Sequence, residues 1–217
     1  MEQRRDSATA YIILADGFET IEALTPLDVL RRCGVEVTTI SLNKTRAVRS
    51  SHGVTVEADA TMEDFMHNCN CCASGTGTGN AGTSSSAGSS TTASSAVRQA
   101  LILPGGYPGY KNLCESAEVG ALITQFHKEG KLLCAICGAP TALKANQICR
   151  GAAITCHTSV KEELSDYYSI LSSAVVKYMN IITGMGAGRS LDFAFAIAEA
   201  LTSKEKVEEI KAKMEII

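Results

Sequence analysis

No excess of positive charge, no long apolar run and no export signal mark this chain. Its 20 Lys and Arg stand against 23 Asp and Glu, a net charge of −3. With no basic stripe and no patterned set of aromatics, it offers no footprint for nucleic acid. No apolar stretch approaches the ~20 residues that span a bilayer, so no membrane partner is expected. Met1-Glu-Gln-Arg-Arg-Asp6 has two arginines but no apolar segment behind them, unlike a secretory signal. The end, Met214-Glu-Ile-Ile217, carries no prenylation or retention motif. A cytoplasmic address is the expectation. The 217 residues, 45% hydrophobic and 20% charged, suffice for one globular domain with a real core.

Cysteine, by contrast, is plentiful. Nine are present, yet the number is odd, and Cys33, Cys114, Cys134, Cys149 and Cys156 fall in expected strands or helices. That pattern argues against a disulfide framework. Cys69, Cys71 and Cys72 raise zinc as an alternative, but they lack the Cys-x₂-Cys pairing and a second ligand pair. No metal is expected.

The order of elements points to an α/β fold. Ala10–Ala15 is a short, continuously apolar run, the mark of a buried strand. Asp16-Gly17-Phe18 turns the chain, and Ile21, Leu24, Leu27 and Val29-Leu30 predict a helix that stops at Gly34. Val35–Leu42 alternates and reads as a second strand; Arg46–Ser50 and Gly53–Glu57 predict a small hairpin. Further strands are expected at Ala100–Leu103, 131–136, Ala152–Cys156, Ala174–Tyr178 and Asn180–Thr183, and helices at Val119–Phe126, 138–146, Leu191–Leu201 and along Val207, Ile210 and Met214. Repeated strand-turn-helix order predicts a mostly parallel sheet with helices on both faces and a ligand site at the strands' C-terminal ends. Residues 73–96, built only from Ala, Gly, Ser, Thr and one Asn, are expected to form a disordered surface insert within that domain.

Cys137 is the residue most suited to chemistry. An apolar strand breaks at Cys137-Gly138 and a helix follows, the arrangement of a nucleophile elbow with sulfur in place of oxygen. A thiol at a helix N-terminus is expected to ionise more readily, from ~8.5 toward roughly 3.5–7.5. Glu19 and Glu22 open the first helix; a carboxyl there can meet Cys137 and move a proton, or simply complement the helix dipole. Gly105-Gly106 can supply half an oxyanion hole with Gly138 the other half, or merely make a tight turn. His157 is placed at a strand end as a base for the cysteine, but Thr158 follows it and no adjacent carboxylate orients the ring. His52, His67 and His127 read as structural or surface residues. No early Gly-x-Gly-x-x-Gly and no Walker sequence occur, so no nucleotide cofactor is expected.

Five stretches together resemble the ThiJ/PfpI superfamily, and within it the parkinsonism-associated branch called DJ-one. They are Leu14-Ala-Asp-Gly-Phe-Glu-Thr-Ile-Glu22 with Pro26-Leu-Asp-Val-Leu-Arg-Arg32, Ala100-Leu-Ile-Leu-Pro-Gly-Gly106, Ala135-Ile-Cys-Gly-Ala-Pro-Thr-Ala-Leu143, Thr155-Cys-His157, and Leu191-Asp-Phe-Ala-Phe-Ala-Ile-Ala-Glu-Ala-Leu201. The resemblance implies a flavodoxin-like three-layer sandwich, class I glutamine-amidotransferase-like, that forms a homodimer. It implies that Cys137 is the reactive cysteine, Glu22 its protonated partner, His157 the nearby imidazole, and Gly106 with Gly138 the anion-binding amides. Implied activities are a cofactor-free glyoxalase or protein deglycase acting on methylglyoxal or its adducts, and a redox sensor or chaperone whose cysteine oxidises to sulfinic acid. A PfpI-type cysteine peptidase is the less favoured outcome. Three features depart from the family pattern: Thr20 where a second glutamate is common, Thr183-Gly-Met-Gly-Ala-Gly188 in place of Ser-Arg-Gly-Pro-Gly, and the insert.

Overall fold

Seven strands assemble into one sheet in the order β10-β11-β7-β6-β1-β2-β5. The computed structural model describes residues 8–68 and 98–216. The expected insert at 73–96, with Cys69, Cys71 and Cys72, lies outside them. The sheet's strands are β1 (Thr9–Leu14), β2 (Glu36–Ser41), β5 (Ala60–Thr61), β6 (Gln99–Leu103), β7 (Leu132–Ile136), β10 (Val175–Tyr178) and β11 (Ile181–Gly184). All pair in parallel except β10, which closes one edge antiparallel to β11. The predicted hairpin forms as β3 (Ala47–Arg49) against β4 (Thr55–Glu57).

Helices cover both faces, which is why the strands read as continuous apolar runs rather than alternating ones. Along β1, Ala10, Ile12 and Leu14 enter one core with Ala23, Val29 and Leu30 of α1 (Thr20–Arg32). The same core holds Phe193 and Ile197 of α7 (Ser190–Leu201), and Val207 and Ile210 of α8 (Lys204–Lys213). Ile13 points the other way, toward Val119, Ile123 and Phe126 of α4 (Ala117–Lys128) and Leu143 of α5 (Pro140–Ala145). Each fully buried Phe, Ile or Leu stabilises the fold by about 1.5–3 kcal/mol. Three shorter helices complete the second face: α2 (Met62–Asn68), α3 (Gly109–Glu115) and α6 (Lys161–Leu164). The parallel sheet with helices on both faces is the one expected from the order of elements, and the three-layer flavodoxin-like sandwich is the one the resemblance implied.

One strand departs from expectation. Ala152–Cys156 does not join the main sheet; only Ala153–Ile154 (β8) is extended, and it pairs with Ser169–Ile170 (β9) in a separate two-stranded sheet. Beyond Ile154 the strand pairing stops: Thr155 N–H donates to Thr183 Oγ1 at 2.9 Å, Thr155 Oγ1 donates to Ser173 O at 2.8 Å, and His157 N–H donates to a backbone carbonyl of the neighbouring turn. His157 therefore arrives at the sheet edge on a loop that begins a 3₁₀ turn, not at the end of a main-sheet strand.

Candidate active site

The C-terminal ends of β1, β6, β7 and β11 bring four turns together. β7 ends at Ile136, and Cys137 follows with φ +65, a left-handed conformation that an L side chain adopts at a cost of about 1–2 kcal/mol. Its neighbours hold it there. Cys137 N–H donates to Gly184 O at 3.0 Å, and His157 N–H donates to Cys137 O at 2.9 Å. The residue is half-buried.

Glu22 comes from the first turn of α1 and is fully buried. Its Oε2 accepts the Gly105 N–H at 2.9 Å, while Oε1 is buried with no partner among the described residues. The two side chains meet over Gly105: a Cβ there would lie 2.6 Å from Glu22 Oε2, 2.7 Å from Cys137 Cβ and 3.1 Å from Cys137 Sγ. Only a glycine leaves room. Gly106 is constrained as well, with φ +89 and no space for a side chain beside the backbone of Gly17 and Glu19. The backbone amides of Gly106 and Gly138 act on Cys137 to lower its proton affinity.

Burial raises Glu22 from 4.5 to about 7, aided by the charge of Glu19 and opposed by hydrogen bonds from Cys137 and Gly105. An acid oxygen without a donor in a dry site has little to keep it ionised. Glu19 caps α1: its Oε2 accepts Glu22 N–H at 2.8 Å, and its Oε1 lies 3.9 Å from His52 Nδ1.

The thiol departs from expectation. Burial first, then the charge of Glu22 and the hydrogen bond to it, push Cys137 up to about 12, against the pull of the Gly106 and Gly138 amides. The helix does not lower it, because α5 is six residues long and begins only at Pro140. Two of the three upward causes exist only while Glu22 is an anion. A protonated Glu22 contributes no charge and can donate to sulfur instead of competing with it. The two ionisations are therefore coupled: loss of the thiol proton is opposed for as long as Glu22 is charged.

His157 lies at the rim with an exposed ring. Its Nδ1 accepts the Ser159 N–H at 3.2 Å and lies 2.8 Å from Ser159 Oγ; no carboxylate among the described residues orients it. Its tie to Cys137 is through the backbone. Gly184, named in the sequence only within Thr183–Gly188, pins the elbow by its carbonyl; Tyr110, whose ring packs on Gly138, carries no local signal and was missed. Among the described residues no three His, Cys, Asp or Glu side chains are grouped to hold a metal ion. No helix among them is long and apolar enough to cross a membrane.

A left-handed cysteine at a strand-to-turn elbow, set at the C-terminal edge of a parallel sheet, defines a class of α/β proteins that present a thiol at the sheet edge. Comparison narrows the class, since the DJ-1/PfpI family model matches residues 8–200. The chain is 34% identical over 205 residues to protein dj-1beta of Drosophila melanogaster, covering 94% of this chain and 95% of that one. It is 29% identical over 189 residues to a Caenorhabditis elegans protein named glutathione-independent glyoxalase DJR-1.2, covering 87% and 85%. The crystal structure of Drosophila melanogaster DJ-1beta superposes with a TM-score of 0.81 at 32% identity, covering 97% of this chain and 99% of that one. The chain belongs to the DJ-1/PfpI family.

Proposed function

We propose that this protein is a cofactor-independent glyoxalase, acting on methylglyoxal or its adducts, with Cys137 as nucleophile and Glu22 as proton carrier. The observation that carries the reading is geometric: the fully buried Glu22 carboxyl and the sulfur of half-buried Cys137 meet over Gly105, close enough for a proton to pass between them. The name of the nematode relative supports the same activity.

With Glu22 protonated and Cys137 ionised, sulfur adds to the aldehyde carbon. The C–S bond forms, the carbonyl π pair moves to oxygen, and Glu22 delivers its proton there, leaving a hemithioacetal. The Glu22 carboxylate then takes the proton from that carbon, the electrons move onto the neighbouring carbonyl oxygen, and an enediolate results. The first oxygen passes its proton to the second, and Glu22 returns its proton to the second carbon, giving a lactoyl thioester. Water cleaves the C–S bond, releasing lactate and restoring the thiol. The balance is one water added, with no external oxidant or reductant. His157 assists from the rim.

The test is lactate formation from methylglyoxal without glutathione, by wild type, Cys137→Ala and Glu22→Gln. Full turnover by Cys137→Ala would overturn the reading. Loss of free methylglyoxal mimics deglycation, so preformed hemithioacetals and free dicarbonyl are assayed side by side. The homodimer implied by the family belongs to the same proposal and is read by sedimentation.

One observation favours a second reading, a redox sensor. The partnerless Glu22 Oε1 and the two amides could hold oxygens placed on the sulfur. Two equivalents of peroxide would take the thiolate to sulfenic and then sulfinic acid, with hydroxide and water as products. Peptide mass spectrometry after mild peroxide tests it: selective sulfinate at Cys137 supports the sensor, and even oxidation of all thiols rejects it.

A further inference from the structure

Both backbone polar groups of Cys137 are tied down, and the two ties belong to one closed circuit. Cys137 N–H donates to Gly184 O at 3.0 Å, and His157 N–H donates to Cys137 O at 2.9 Å. Thr183, the neighbour of Gly184 in β11, completes the ring: its Oγ1 accepts the Thr155 N–H at 2.9 Å, just ahead of His157 in the chain. The other links run from backbone to backbone. Thr183 Oγ1 is the side-chain link, and so the one a substitution can remove.

The hydroxyl is costly where it stands. Thr183 is fully buried, in a strand otherwise made of Ile181, Ile182 and Gly184. Burying a hydroxyl without a hydrogen bond is unfavourable, and a valine would fill nearly the same space without that cost. The Thr155 N–H is buried too and lies beyond the last strand pair at Ile154, so donor and acceptor satisfy each other.

We propose that Thr183 is a positioning residue that holds the His157 loop against the elbow and thereby fixes the backbone of Cys137. A residue has two soft backbone angles; its N–H direction follows one and its C=O direction the other, so holding both groups sets both angles. Cys137 needs that restraint, because its φ of +65 is one that an L residue abandons when released. The direction of its Cα–Cβ bond, and with it the place of the sulfur beside Glu22, follows from those angles. The role concerns where the thiol sits and not which substrate it meets. It goes beyond the glyoxalase reading and does not depend on it.

The test compares Thr183→Val, which removes the acceptor, with Thr183→Ser, which keeps it. Amide hydrogen exchange reads the circuit. The His157 N–H is bonded to Cys137 and not to Thr183, yet its exchange should quicken by about tenfold in Thr183→Val and stay at the wild-type rate in Thr183→Ser. Carbon-13 NMR titration of the Glu22 carboxyl reads the thiol. Sulfur drawn away from Glu22 takes with it a hydrogen bond that lowers the carboxyl, so the titration should move up in Thr183→Val. General loosening would admit water and move it down. A lowered melting temperature with His157 exchange unmoved would make Thr183 merely structural and overturn the proposal. So would a Glu22 titration that stays or falls, or a Thr183→Ser variant that behaves as Thr183→Val. If Thr183→Val does not fold, wild type still decides: the Thr155 and His157 amides should share one protection factor, and unrelated values would break the circuit. Methylglyoxal turnover is measured in parallel. If wild type is inactive while exchange and titration move as described, the glyoxalase reading fails and the role of Thr183 stands.

Discussion

Glu22 and Cys137 meet above the backbone of Gly105, so closely that no side chain fits between them. The contact makes their ionisations one problem. The charge of Glu22 raises the proton affinity of Cys137, the thiol's hydrogen bond lowers that of Glu22, and both sit where water is scarce. A proton held by Glu22 therefore permits a thiolate that the helix alone would not create.

Glu22 makes stability fall as pH rises from about 4.5 to about 7. In that window the folded chain keeps a proton that the unfolded chain has released, so the contribution is whole below 4.5 and lost as pH passes through 7. The expected span is about 3 kcal/mol. Glu22→Gln should flatten this slope in urea midpoints taken from pH 4.5 to 7.5, while sharply reducing turnover.

Gly105→Ala places a methyl 2.6 Å from Glu22 Oε2 and 2.7 Å from Cys137 Cβ in a buried position. We expect a loss of about 1–3 kcal/mol in stability from overpacking. Alkylation of Cys137 should slow as the carboxyl and the sulfur are driven apart. An unchanged rate would show that their contact does not govern the thiol.

Glu19→Gln keeps an oxygen able to accept the Glu22 N–H but removes the charge that raises Glu22. Titration of the Glu22 carboxyl by carbon-13 NMR should move down from about 7. Helix α1 should keep its cap, because the hydrogen bond survives the substitution.

Cys137→Ala works in the opposite direction. The thiol's hydrogen bond is the largest cause lowering Glu22, so its removal should move the carboxyl's titration upward. The same NMR experiment reads the sign.

His157→Ala should cost less than tenfold in kcat/KM, below the ~10²–10⁴ typical of a positioned acid or base. The ring is exposed, its Nδ1 is engaged by Ser159, and no described carboxylate orients it. A loss of a thousandfold would promote His157 from the rim to the centre of the reaction.

Much of the framework was readable from local pattern. The apolar run ending at Ile136 and the proline at 140 bracket the elbow, and Ser51-His52-Gly53 mark the hairpin turn between β3 and β4. Other features resist such reading. Ala152–Cys156 has the composition of a strand, but its Ala153–Ile154 pairs with Ser169–Ile170 and not with the main sheet, a choice of partner that local pattern does not reveal. Gly109–Glu115 is too short and too closely flanked by Pro and Gly to announce itself as a helix, so Tyr110 went unnoticed. Glu19 and Glu22 share one helical turn and look equivalent; burial separates them, leaving Glu19 partly exposed at the cap and Glu22 sealed under Cys137.

The order of residues alone determined the parallel α/β framework, the left-turning cysteine after β7 and the glycine pair after β6, because strand period, helix spacing and turn preference act over a few neighbours. Tertiary structure alone decided where the proton resides. A group's affinity for a proton depends on the water it loses and the charges it faces, and for Cys137 both come from segments that are distant along the chain.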